Sequence, residues 1–201
     1  MSWLDIVAKE FYRHGMVKLG KFKLSSGLES PFYIDMRRLY SYPDLASRIV
    51  SLLVRNAPLS DVEVLAGVAT AGIPLASYMA CLTHKPLAYV RSDRKNHGME
   101  LMVEGDVVGK KVAVIDDVVT TGTSIMRAIE SLEKVGAIPI RAIVLIDREQ
   151  GAREKLVAKN IELYALIRVT ELFKILYSNG LIDENTYNEI QSYLKSFKND
   201  K

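Results

Sequence analysis

The sequence predicts an α/β protein with a central, mainly parallel sheet flanked by helices. Five apolar runs of strand length point there: VEVLAGV (residues 62–68), PLAYV (86–90), KVAVID (111–116), IRAIVLID (140–147) and IELYALI (161–167). Near-continuous Val, Ile and Leu suits strands covered on both faces. Helical stretches or a long loop separate the first four, and such alternation is that of right-handed crossover units. A chain of 201 residues is long enough for one domain of this kind with a real core.

Taken in order, residues 4–14 carry the apolar spacing of an amphipathic helix. Short strands are expected at residues 22–24 and 32–35, joined by the turn-rich SSGLESP. Residues 43–56 read as a helix with Pro43 in its first turn, a favoured place for proline. The stripe Ile125, Ala128, Ile129 and Leu132 marks a helix packed on the sheet, with Gly136 as its stop. Tyr187, Ile190, Leu194 and Phe197 form a second stripe, with Asp183 as N-cap and Gly180 ending the helix before it. Residues 91–106, RSDRKNHGMELMVEGD, break the pattern as a long polar loop where a crossover should be compact, and such loops are usually functional.

Composition narrows the function classes. Hydrophobic residues make up 49% and charged residues 25%, ordinary for a globular chain. A net charge of +3, with basic residues scattered along the chain, gives no case for a nucleic-acid surface. The one cysteine, Cys81, excludes an intramolecular disulfide and reads as a small core residue of a buried helix. No apolar run reaches membrane-span length. The start, MSWLDIVAKEF, carries acids early and lacks the apolar core of a secretion signal, so a cytoplasmic protein is expected.

The chemistry concentrates in VAVIDDVVTTGTS, residues 112–124. A loop leaving the C-terminal end of a parallel strand and entering a helix is the usual ligand position in open α/β sheets. In Thr120, Thr121, Gly122, Thr123 and Ser124 the glycine allows close backbone approach, while amides, hydroxyls and the helix N-terminus supply an anion cradle. The Walker A spacing is absent, and no lysine in the loop reaches toward a β- or γ-phosphate. Asp116 and Asp117 repel one another if both are ionised, so stability alone explains them poorly. They suit ribose hydroxyls, a metal, or a developing positive charge such as the oxocarbenium-like centre of anomeric substitution. The plainer alternative is an Asp cap before a Thr-rich helix start.

VIDDVVTTGTS resembles the phosphoribosyl pyrophosphate (PRPP) signature of the type I phosphoribosyltransferases. Three further stretches, in the right chain order, resemble the orotate-specific members of that family. FKLSSGLESPFYID (residues 22–35) is similar to their N-terminal hood, RSDRKNHG to the core of their catalytic loop, and VLIDREQG (144–151) to the segment whose arginine binds the base. GVATAGIPLA (67–76) stands where the family has its pyrophosphate loop. The resemblance covers nearly the whole chain. It implies the type I phosphoribosyltransferase fold, with a hood region at 1–40 and the core with C-terminal helices at 41–201, effectively a single domain.

The resemblance also implies roles. PRPP falls to Arg91, Lys95, His97, Asp116, Asp117, Val118, Val119, Thr120, Thr121, Gly122, Thr123 and Ser124, with Lys95, His97, Asp116 and Asp117 catalytic. Orotate falls to Thr120, Arg148, Phe32 and Tyr33, and pyrophosphate to the loop of Thr70 and Ala71. Mg²⁺ is expected, held mainly through PRPP rather than by protein ligands. A homodimer is expected, with the catalytic loop shared between subunits. Where many members carry lysine, this chain has Ser25, Ser92 and Ala71, and its loop holds the additional cation Arg94. The competing readings are a transferase for another base, such as adenine, and a PRPP-sensing regulator. Arg148 argues against a neutral base, and the intact Lys95–Gly98 stretch and the lack of a DNA-binding element argue against the regulator.

Overall fold

The computed structural model describes residues 2–23, 29–91 and 102–199. Helix α1 (Trp3–Arg13) starts with a capping box: the Asp5 amide donates to Ser2 Oγ at 3.2 Å, and the Ser2 amide donates to Asp5 Oδ2 at 2.6 Å. Strands β1 (Val17–Lys23) and β2 (Glu29–Ile34) then pair antiparallel as a separate two-stranded sheet. β1 begins well before the expected residue 22, because Gly20 and Lys21, at the irregularity between Leu19 and Phe22, interrupt its apolar alternation in sequence. Phe32 anchors this sheet, its ring meeting Phe173 at 4.8 Å and Tyr193 at 5.7 Å between centroids. The N-terminal segment therefore shares its core with the C-terminal helices.

A short 3-10 helix (Met36–Ser41) leads into α2 (Pro43–Asn56). The main sheet follows: β3 (Val64–Val68), α3 (Gly72–Thr83), β4 (Leu87–Val90), β5 (Val103–Glu104), β6 (Lys111–Val119), α4 (Thr123–Lys134), β7 (Ile138–Asp147), α5 (Ala152–Val157), β8 (Glu162–Arg168), α6 (Val169–Ser178) and α7 (Glu184–Asn199). Its strand order is β5-β4-β3-β6-β7-β8, all neighbours parallel except β5 against β4. β5 lies inside the stretch expected as loop, since two residues carry no readable period.

Alternate residues of the strands feed two cores. Leu65, Ala113 and Ile115 pack with α2, α3 and the C-terminal helices, while Val64, Ala66, Val112 and Val114 pack with α4 and α5. β3 is buried along its whole length. The stripe of α4 is buried as expected, and Gly136 follows the helix at φ +79°. Asp183 Oδ1 accepts from the Thr186 amide at 2.8 Å at the start of α7, and Gly180 follows α6 at φ +66°.

Cys81 corrects its expectation: it is exposed. α3 is apolar on nearly every side, so its sequence gives no amphipathic period to say which face is covered, and Cys81 falls on the uncovered one. No helix among the described residues is long and apolar enough to cross a membrane.

Candidate active site

The C-terminal ends of four neighbouring strands converge. β3 runs into Thr70 and Ala71, β4 into Arg91, β6 into the Thr-Gly loop, and β7 into Arg148. Gly72 sets the spacing between the first and third. A Cβ there would collide with the Ile115 carbonyl oxygen and stand 3.1 Å from Asp116 Cα, so only glycine lets α3 begin this close to β6. The Ala69–Thr70 peptide just before it is cis.

β6 does not end before the acid pair. It continues through Asp116 and Asp117 to Val119, where Val118 and Val119 pair with Ile146 and Asp147 of β7. Two acids read as a strand end in sequence, whereas here the ladder carries them into the site. The Asp117 amide donates to Asp116 Oδ1 at 2.9 Å, and the Val118 amide donates to Asp117 Oδ1 at 2.7 Å. Asp116 is 8% exposed. Burial first, and then the neighbouring Asp117 charge, push its pKa up to about 8. Burial also raises Asp117, against the Val118 amide and the Arg37 charge, which favour its ionised form. Burial and mutual repulsion thus favour one shared proton on the pair over two charges.

After the pair, Thr120 to Ser124 turn into α4. Gly122 at φ +79° makes the turn, and Asp116 together with residues 118–125 lines a hollow of about 60 Å³. Thr121 Oγ1 and Thr123 Oγ1 are 3.1 Å apart at its rim. This is the geometry of an anion cradle at a helix N-terminus.

At the far side, the Arg148 amide donates to the Val119 carbonyl at 2.9 Å, fixing the end of β7 to β6. Its guanidinium is buried, with Cζ 4.8 Å from the centre of the Phe32 ring. Nη2 reaches Ser30 Oγ at 3.5 Å, and Nε has no partner. Burial pulls the arginine pKa down, opposed by Tyr193 and Tyr33. Among the described residues no carboxylate pairs with it.

The expected residues fall into three groups. Asp116, Asp117, residues 118–124, Thr70, Ala71, Arg91 and Arg148 come together at one end of the sheet; Arg91 Nη1 lies 3.4 Å from Glu104 Oε1. Phe32 and Tyr33 sit on the adjoining small sheet but differ. Phe32 has no exposed surface and lies against Arg148, while Tyr33 is half-buried on the other face of β2. Lys95, His97, Ser25, Ser92 and Arg94 lie outside the described residues.

Four neighbours of the site escaped the sequence reading. Arg37 donates through Nε to Asp35 Oδ1 at 2.6 Å and through Nη2 to the Tyr33 hydroxyl at 3.4 Å, and its charge reaches Asp117. Tyr40 buries a hydroxyl without a partner, its pKa raised by burial and the two aspartates. Ser30 and Tyr193 flank Arg148. Only Arg37 had a signal, as a charge just past a predicted strand. The others lie on patterns that read as turn or core.

A parallel sheet with this crossover order, presenting an acid pair and an anion loop at its C-terminal edge, defines the phosphoribosyltransferase class. The family model described as phosphoribosyl transferase domain matches residues 42–170. The chain is 41% identical to an orotate phosphoribosyltransferase of Staphylothermus marinus over 98% of its length and 97% of the relative's. It superposes on the crystal structure of orotate phosphoribosyltransferase from Aeropyrum pernix with a TM-score of 0.78 at 40% identity, covering 88% of this chain and 99% of that one. The structure of Leishmania donovani UMP synthase gives a TM-score of 0.87 at 28% identity, covering 97% of this chain and 43% of that longer one. The chain belongs to the orotate phosphoribosyltransferase family.

Proposed function

We propose that Arg148 selects the base and that Asp116 and Asp117 carry the ribosyl transfer of this family's reaction, in which orotate takes the 5-phosphoribosyl group of PRPP and pyrophosphate leaves. The observation that carries the base assignment is the state of Arg148, 5% exposed with Nε unpartnered. A buried cation has given up its hydration and recovers the loss from an anion. A carboxylate suits a guanidinium because two parallel N–H bonds fit both planes. Orotate carries that carboxylate, and neutral adenine does not. Phe32 then acts from behind, its ring against the guanidinium, while Tyr33 and Thr120 line the base.

As the bond from the anomeric carbon to pyrophosphate breaks, positive charge develops on the sugar. Asp116 and Asp117 face it and hold the ribose hydroxyls. The backbone of Val118 and Val119 and the loop from Thr120 to Ser124 take the 5-phosphate. Thr70, Ala71 and Arg91 take the pyrophosphate, joined by Lys95 and His97. Two neighbouring carboxylates suit a hard cation that arrives on phosphate oxygens, whereas no cluster of three or more candidate metal ligands occurs among the described residues. Mg²⁺ carried by PRPP would supply charge neutralisation of the leaving group.

The active unit in this reading is a homodimer whose loop serves the neighbouring site. Leu87 and Tyr89 alternate with buried Ala88 and Val90, so they face the α3 side of β4, and together with Leu82 they remain 36–45% exposed. A second copy covering this apolar surface is the kind of contact such a dimer needs.

Mixing protein, Mg²⁺ and PRPP with each of a panel of bases tests the assignment. An absorbance change with orotate and none with adenine is expected. Turnover of adenine in preference to orotate overturns it.

A further inference from the structure

A second hollow adjoins the anion cradle. It holds about 120 Å³ and lies between one face of α4 and the ends of β3 and β4. Ser124 lines both hollows, so the two are neighbours. The floor is apolar: Val68, Val90 and Ala128 are 7%, 3% and 2% exposed. The walls are not. Ser124, Arg127 and Ser131 stand at i, i+3 and i+7 of α4, on one face of the helix beside its buried apolar stripe. Arg91 lines the hollow from the end of β4.

Its charges are unbalanced. Two arginines line this hollow and, among the described residues, no carboxylate does. Arg91 Nη1 lies 3.4 Å from Glu104 Oε1, which takes one corner of its planar fork, and the Arg91 amide donates to the Met102 carbonyl at 2.8 Å. The Arg127 side chain makes no ion pair or hydrogen bond among the described residues. Like charges lining one hollow repel, and an anion between them turns that cost into attraction. Ser131 Oγ donates to the Arg127 carbonyl at 2.9 Å, so its proton is spent and it only shapes the wall. Two guanidinium groups with the Ser124 hydroxyl suit an anion that carries several oxygens on one centre. A hollow of about 120 Å³ admits such a group but not a sugar and a base as well.

We propose that this hollow is a second anion subsite, separate from the 5-phosphate cradle, which takes a phosphoryl group between Arg91 and Arg127. This rests on the reading that the cradle itself holds the 5-phosphate. The phosphoryl group has two sources: free pyrophosphate released by the transfer, or the phosphate of a nucleotide reaching in from outside. Arg127 is the residue that tells the subsite from the cradle, since it lines only the second hollow.

Arg127 is exposed, so its replacement leaves the fold intact. Titration calorimetry with orotidine 5′-monophosphate, Mg²⁺ being withheld to hold back the reverse reaction, reports on the cradle first. Its affinity should be the same in wild type, Arg127→Ala and Arg127→Glu. With that nucleotide kept saturating, inorganic pyrophosphate and, separately, UMP are titrated. Binding to the second hollow should weaken on the order of tenfold in Arg127→Ala, as for loss of one hydrogen bond to a charged group. Arg127→Glu should weaken it further, and Arg127→Lys should keep part of it. A loss for pyrophosphate alone makes the ligand the leaving group, and a loss for UMP makes it a nucleotide phosphate. Unchanged binding of both in Arg127→Ala and Arg127→Glu overturns the proposal. So do equal losses for orotidine 5′-monophosphate and pyrophosphate, which would make Arg127 part of the general field of the site. If orotidine 5′-monophosphate does not bind the wild type, the cradle reading fails, and pyrophosphate titrated into the protein alone still tests the hollow.

Discussion

The guanidinium carbon of Arg148 stands 4.8 Å from the centre of the Phe32 ring, with both side chains buried. The aromatic face partly offsets the desolvation of the cation and leaves the in-plane Nε without a partner. Arg148→Ala should raise KM for orotate by roughly 30- to 1000-fold, the equivalent of about 2–4 kcal/mol for a buried charge pair, with a much smaller change for PRPP. Arg148→Lys should rescue poorly, because an ammonium lacks the planar fork. Equal damage to both substrates in steady-state kinetics would show that Arg148 does not read the base.

Asp116→Asn and Asp117→Asn should each cut turnover ten- to a thousandfold, about 1.4–4 kcal/mol of transition-state stabilisation. Circular dichroism should show the fold intact. Full activity in both variants would remove the pair from the mechanism.

The pair also predicts a pH dependence of stability. Asp116 has a folded-state pKa of about 8 against an ordinary value of 3.8. Between those values the native state holds a proton that the unfolded chain has released. Stability therefore falls as pH rises through this window, and the contribution is fully lost above it. Asp116→Asn removes the buried charge, so its Tm should exceed that of the wild type by a few degrees at pH 9, with the gap closing toward pH 4. Thermal melts without substrate check this. A gap that does not change with pH contradicts the assigned titration.

Gly72→Ala should destabilise the protein by roughly 1–3 kcal/mol, as overpacking does. It should also cost activity, since the added methyl presses on the backbone carrying Asp116. Gly180→Ala is the contrast. It meets nothing within 4 Å and carries only the strain of φ +66°, about 1 kcal/mol, with no effect on turnover. Chemical denaturation and kinetics on the two variants separate the effects.

Lys95→Ala and Asp117→Asn proteins, each impaired alone, should recover activity when mixed under subunit exchange. In the proposed homodimer with a shared loop, half the dimers would be heterodimers with one intact site of two, so recovery should approach roughly a quarter of wild type. No recovery despite demonstrated exchange means the loop acts within its own subunit.

Much of the fold was legible because its signals are local. The run VAVID, the stripe Ile125, Ala128, Ile129 and Leu132, and the cap at Asp183 depend on the periods of strands and helices and on neighbours a few residues away. β5 and the 3-10 helix were not legible, being too short to show a period. Cys81 was misplaced because α3 is apolar all round and only its neighbours decide which side is covered.

By itself the sequence determined the order of the five long apolar strands, the acid pair with its anion loop, and the presence of an arginine after β7. Local propensity and turn chemistry suffice for these. The tertiary structure alone decided that burial and a neighbouring charge raise the Asp116 pKa, that the Phe32 ring lies against the Arg148 guanidinium, and that Tyr193 packs edge-on to Phe32. Each of those depends on burial and on charges brought together from distant parts of the chain. Desolvation and Coulomb energy are set by distance in space, which the linear order of residues does not carry.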